Sequence, residues 1–153
     1  MNESPAKQIA NMIAEFDPEV ARLIRSARTA LRKRFPAAIE QVHDNETFLA
    51  IGYCTTERAS DCIVSVAADA EGVALSFHYG AFLQDPQGIL LGSGTQNRFL
   101  RLESVATLAN PDVQAMLSAA AAQVKSPLRA TGRGHTIIKS IAAKRRPRRA
   151  VQA

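Results

Sequence analysis

The chain has 153 residues, 46% of them hydrophobic and 22% charged, which is enough for one domain with its own core and too little for two. No apolar run approaches the ~18 residues a membrane helix needs. The opening MNESPAKQIANMIAEFD lacks the basic and then apolar stretches of a secretory signal, so the cytoplasm is the expected compartment. The net charge of +5 is uneven: residues 1–124 carry ten Lys/Arg against fourteen Asp/Glu, and residues 125–153 carry nine Lys/Arg and no acid. Such a basic end suits contact with phosphates or a solvated tail.

Ser4 followed by Pro5 is a helix-start signal, and Ile9, Met12, Ile13 and Phe16 then recur at helical spacing. Asp17-Pro18 repeats the signal. Val20, Ile24, Ala27 and Leu31 form the apolar stripe of a second helix, which ends near Phe35-Pro36, while Arg25, Arg28 and Arg32 line its other side. From Ile39 onward the runs become short and β-like. TFLAIGYC (47–54), DCIVSVAA (61–68) and GVALSFHY (72–79) predict strands, with DAEG (69–72) as a hairpin turn. In the third run Val73, Leu75, Phe77 and Tyr79 share the helix-facing side, and His78 faces away.

GAFLQDPQGILLGSGTQNRFLRL (80–102) holds four glycines and two arginines. Asp85-Pro86 predicts a capped helical turn that buries Ile89 and Leu90, with Gly92 in the left-handed position that ends it and Gly94 freeing the chain to reverse. RFLRLES (98–104) predicts a further strand. Asn110-Pro111 starts a last helix with Val113, Met116, Leu117, Ala120, Ala121 and Val124 on its apolar side. TIIKSI (136–141) is strand-like, and residues 142–153 are expected to be a basic disordered tail after a single domain over 1–141.

A dinucleotide-binding turn needs a third glycine and a following helix. Here position 97 is Asn and a strand follows, so Gly80, Asp85, Pro86, Gly92 and Gly94 are expected to shape the loop. Arg98 at its end has the fork geometry to hold a carboxylate or phosphate, or to pin the loop through Asp85 or Glu103. His43, Asp44, Glu46, Cys54, Cys62 and His78 lack the paired spacing of a zinc site, so no metal or cofactor is expected. Cys54 and Cys62 are expected to be reduced and internal. No nucleophile–base pair is visible, so no catalytic residue is assigned. Tyr53, Arg58, His78 and Arg98 are the candidate ligand-binding residues, on a cationic sheet face and loop edge that would suit a small anion. Lys144, Arg145, Arg146, Arg148 and Arg149 are candidates for nonspecific nucleic-acid contact.

Gly80, Leu83, Asp85-Pro86, Gly88, Leu90, Gly92, Gly94, Arg98, Leu100 and Leu102, set between the strand VALSFHY and the helix opened by Asn110-Pro111-Asp112, resemble the YdhG-like domain family. AIGYCTTERASDCIVSVA (50–67) and TGRGHTIIKSIAAKRRPRR (131–149) are similar to one of its subgroups. The likeness runs over residues 18–149 and identifies no chemistry. It implies an α+β two-layer sandwich similar to the frataxin and YjbR folds, with an antiparallel sheet covered on one face by helices. It also implies the idea of iron chaperoning by analogy with frataxin. That activity uses an acidic helical ridge, whereas here Arg22, Arg25, Arg28, Arg32, Lys33 and Arg34 follow Glu19. The reading favoured by the residues is a non-enzymatic binding or scaffold module for a small anionic ligand or a protein partner.

Overall fold

The computed structural model describes residues 3–150. Helix α1 (Pro5–Ala14) starts where Ser4 accepts the Lys7 amide at 3.2 Å. Helix α2 (Pro18–Arg34) starts at Asp17 and ends in Arg32, Lys33 and Arg34, cations well placed beside its free carbonyls. A meander follows: β1 (Ile39–Asp44), β2 (Leu49–Cys54), β3 (Cys62–Asp69), β4 (Gly72–Phe77) and β5 (Arg98–Arg101), each antiparallel to the last, including β5, which pairs with β4 across the long 78–97 connection. The one-turn α3 (Ala106–Ala109) and α4 (Pro111–Gln123) lead to β6 (Thr136–Ile141).

Strand β6 pairs with β1 in parallel, giving the order β5-β4-β3-β2-β1-β6. The sheet is therefore mixed, a correction to the antiparallel sheet expected from sequence. The chain leaves β5 at one edge, passes through α3 and α4, and returns at the other edge in the direction of β1. Local pattern carries no information about that pairing.

The helices share one face of the sheet. Ile9, Met12 and Ile13 of α1, Ile24, Ala27 and Leu31 of α2, and Val113, Met116 and Leu117 of α4 form one core with Val42, Ile51, Val64, Val66, Leu75 and Phe77. Each of the Ile, Leu, Val, Met and Phe side chains among them contributes about 1.5–3 kcal/mol on burial. The opposite face carries the small residues Ala50, Gly52, Ser65, Ala67, Ala74 and Ser76, and the helices do not cover it. No helix among the described residues is long and apolar enough to cross a membrane.

Two local expectations are corrected. Residues 85–92 form no helical turn: the Asp85 carboxylate instead accepts the Ile89 and Leu90 amides, each at 2.9 Å, and closes a turn too short to continue. Residues 142–150 are docked where a disordered tail was expected. Arg145 and Arg148 both bind the fully buried Asp44 at the end of β1, and Arg148 lies 5.2 Å over the Phe16 ring. The acid was invisible as an anchor because a hundred residues separate it from its partners. Residues 151–153 of the expected tail lie outside the described residues.

Gly134 fixes how the entry to β6 meets the α2–β1 connection. Its amide donates to the Pro36 carbonyl at 2.9 Å, and a Cβ there would lie 1.7 Å from the Ala38 carbonyl oxygen. Backbone cannot yield as a side-chain tip does. Gly134→Ala is expected to cost about 1–3 kcal/mol or more, read as a lowered midpoint in chemical denaturation. An unchanged midpoint would show that this crossing is not tight.

Candidate functional site

A cavity of about 360 Å³ lies between the C-terminal end of α2 and the β1–β6 edge. Arg32 and Lys33 border it from the last turn of α2, Arg133 and His135 from the segment entering β6, and Phe35, Pro36 and Ala38 form its apolar side. Helical spacing turns Leu31 into the core and leaves Arg32 and Lys33 outward, so the cations follow from the same periodicity that builds the helix.

Glu40 of β1 and Tyr53 of β2 lie at the back of the cavity. Glu40 is 3% exposed and bound on all sides: Arg28 donates twice at 2.9 Å, Tyr53 donates its hydroxyl at 2.8 Å and Thr136 at 2.9 Å. Burial alone would raise the carboxyl, but the Arg28 hydrogen bonds and charge, with the Tyr53 and Thr136 hydroxyls, hold it below its ordinary range. The Arg28 hydrogen bond to Glu40 outweighs burial and raises the guanidinium in turn. Burial, then the neighbouring Glu40, pushes the Tyr53 phenol far up, so it stays a donor. Among the described residues Glu40 is the only acid lining the cavity, and Arg28 already neutralises it. Arg32, Lys33 and Arg133 remain as the charged side chains facing the space. At its rim His135 contacts the exposed Glu57 at 3.2 Å.

The four ligand-binding candidates do not converge. Tyr53 belongs to this cavity, because alternation in β2 puts Ile51 and Tyr53 on the helix-facing side and Gly52 and Cys54 on the other. His78 lies beyond β4 on the uncovered face, as its alternation predicts, with its ring edge-on to Tyr79 at 4.6 Å. Arg58 is exposed beside the short 59–61 turn and lines neither space. Arg98 donates to the Gly94 and Asn97 carbonyls, pinning its own loop through backbone where Asp85 or Glu103 had been the expected partners.

The loop glycines act as spacers and turns. A Cβ at Gly80 would sit 2.5 Å from that of Arg98, and Gly92 takes a φ of 110°, while Gly94 stands in open space. Of the basic segment, Arg145 and Arg148 are committed to Asp44. Arg149 reaches the Glu15 carbonyl at 3.3 Å, and Lys144 and Arg146 are exposed.

Sequence reasoning missed Arg32, Lys33, Arg133 and His135 as a group. A local signal existed only for the first two, as the cationic end of α2. Arg133 and His135 sit in a segment that reads as a linker until β6 is paired with β1. Comparison with protein-family models, with curated proteins and with solved structures gives no match.

Proposed function

We propose that this chain is a YdhG-like domain of the two-layer frataxin/YjbR kind, acting as a non-enzymatic module that binds a small anionic ligand between α2 and β6. The residues of the 80–102 motif support the family reading, and the helices on one sheet face suit the sandwich. One observation carries the ligand class: Arg32, Lys33 and Arg133 border a single cavity whose only acid among the described residues is already paired with Arg28. Three cations held near one another repel, and a bound carboxylate or phosphate relieves that repulsion. Planar guanidinium groups add bidentate hydrogen bonds, and His135 and Thr136 add further donors.

The iron-chaperone reading has less support, because Arg25, Arg28 and Arg32 repel a cation from α2 and no group of three or more His, Cys, Asp or Glu suited to a metal gathers among the described residues. Nucleic-acid contact through residues 144–149 is weakened, since Arg145 and Arg148 spend their charge on Asp44.

Thermal-shift titrations with citrate and inorganic pyrophosphate test the proposal. Stabilisation by at least one is expected. Arg133→Ala should weaken it roughly tenfold to a hundredfold, the equivalent of one charged hydrogen bond of about 1.5–3 kcal/mol, and Arg58→Ala should leave it unchanged. Absence of stabilisation, or equal loss in both variants, counts against the site.

A further inference from the structure

The uncovered face of the sheet holds a second, smaller cavity of about 170 Å³, lined among others by Gln41, His43, Cys54, Cys62, Ser65 and His78. It lies across the sheet from the cationic cavity and does not depend on it. Both cysteines of the chain line it, and both are free thiols.

Their meeting is built by a defect in the β2–β3 ladder. Tyr53 pairs with Val64, and regular register would next set Cys54 opposite Ile63. A bulge skips Ile63, which is buried in the core, and sets Cys62 opposite Cys54 instead. Directly opposed residues of antiparallel strands have Cα atoms roughly 4.5–5.5 Å apart, inside the roughly 4.4–6.8 Å that a disulfide spans. Gly52 keeps the space clear, since a Cβ there would lie 3.0 Å from the Cys62 sulfur and 3.1 Å from the Ser65 hydroxyl.

The two thiols are not equivalent. The Cys62 sulfur lies 3.4 Å from the Val64 carbonyl oxygen and 3.3 Å from Ser65 Oγ; the neighbouring Cys54 and Ser65 side chains lower the Cys62 thiol, whereas the proximity of Cys62 and then burial raise that of Cys54. Cys62 is also the more exposed of the two, 8% against 1% for Cys54, and is the sulfur that attacks. His43 on the same wall is lowered by burial and by Lys139, which keeps its imidazole neutral and able to take a proton. Gln41 of this wall leaves Oε1 without a donor, a spare acceptor for a hydroxyl.

We propose that Cys54 and Cys62 form a reactive dithiol at which a small hydroperoxide oxidises the pair to a disulfide. The Cys62 thiolate attacks one peroxide oxygen and the O–O bond breaks. The departing alkoxide or hydroxide takes a proton and leaves as alcohol or water, with Cys62 as sulfenic acid. The Cys54 sulfur then attacks the Cys62 sulfur, the S–O bond breaks, and hydroxide leaves with the Cys54 proton as water. Two electrons pass from the thiols to the peroxide, which is reduced. The cavity of about 170 Å³ has room for several water-sized molecules, each about 30 Å³ in the liquid, so hydrogen peroxide fits.

Hydrogen peroxide titration of the full chain, followed by intact mass and thiol counting, tests this. The folded chain should lose both thiols together, become lighter by the mass of two hydrogens, and recover with a dithiol reductant. Its rate should exceed that of the urea-unfolded chain at least about tenfold, because only the fold sets the lowered thiol beside its partner. Cys54→Ser should trap a sulfenic acid that a dimedone probe labels, and Cys62→Ser should react about tenfold more slowly or less. Equal rates folded and unfolded overturn the proposal without recourse to a variant. So does oxygen addition without disulfide in the unmodified chain, or retention of one copper(I) ion by thiols inert to peroxide.

Discussion

Asp44→Ala is expected to lower the stability of the chain by about 3–5 kcal/mol, the cost of leaving a buried charge without its partner. Asp44 is fully buried, Arg148 is 5% exposed, and Arg148 depends on that carboxylate and on the Asn45 and Phe48 carbonyls for its hydrogen bonds. Its Nε and second terminal nitrogen already lack partners. Removing the anion leaves a guanidinium that has to reach water, which it does by pulling residues 142–150 off the end of the sheet. Two readouts follow together: a lower denaturation midpoint, and fast trypsin cleavage after Lys144 and Arg145 under conditions where the unmodified chain is cut slowly. A variant as stable and as protease-resistant as the parent would show that the basic segment does not depend on Asp44.

Glu40→Gln is the second large effect, expected near the lower end of the same range, about 3 kcal/mol, because Arg28 is 20% exposed and regains some water. The substitution removes the charge that Arg28 faces and turns into a donor one of the two carboxylate oxygens that accept separately from Tyr53 and Thr136. It also changes the response to acid. The folded Glu40 carboxyl titrates below its unfolded value, which is about 4.3. The unfolded chain therefore takes up the proton first as pH falls. The contribution of Glu40 is complete above the unfolded value and is lost as pH drops through the lower folded one. Stability of the parent measured from pH 6 downward should fall more steeply below about 4.3 than that of Glu40→Gln. Parallel curves would remove Glu40 as a source of acid sensitivity.

These two carboxylates also explain which parts of the fold could be read from the chain. Ser4-Pro5, Asp17-Pro18 and Asn110-Pro111 each open a helix, because an apolar stripe of helical period follows each. Asp85-Pro86 carries the same signal without a stripe, and the carboxylate closes a turn instead. The sequence IEQVHD of β1 carries four polar or charged residues, of which Glu40, Gln41 and Asp44 are buried. Pattern reasoning treats them as surface; Arg28, Tyr53, Thr136, the Thr56 carbonyl, Arg145 and Arg148 make their burial tolerable. Those partners lie between 12 and 104 positions away along the chain.

The candidate site was less legible for the same reason. Alternation carried one residue beyond β4 places His78 on the uncovered face, and the same counting in β2 puts Tyr53 on the other. The two therefore had no common pocket to share. Arg133 reaches Arg32 and Lys33 only once β6 lies parallel to β1. The Cys54–Cys62 pair depends on a bulge, a one-residue shift that no local composition announces.

Backbone amide NMR shifts of the full chain, followed during titration with inorganic pyrophosphate, test the anion-binding cavity most directly. Saturable shifts are predicted at residues 32–40 and 133–136, on opposite walls of one space, with residues 144–149 little changed. Shifts confined to residues 144–149 and abolished by salt would contradict the account, since they would mark loose charge pairing along the basic segment and leave the cavity empty.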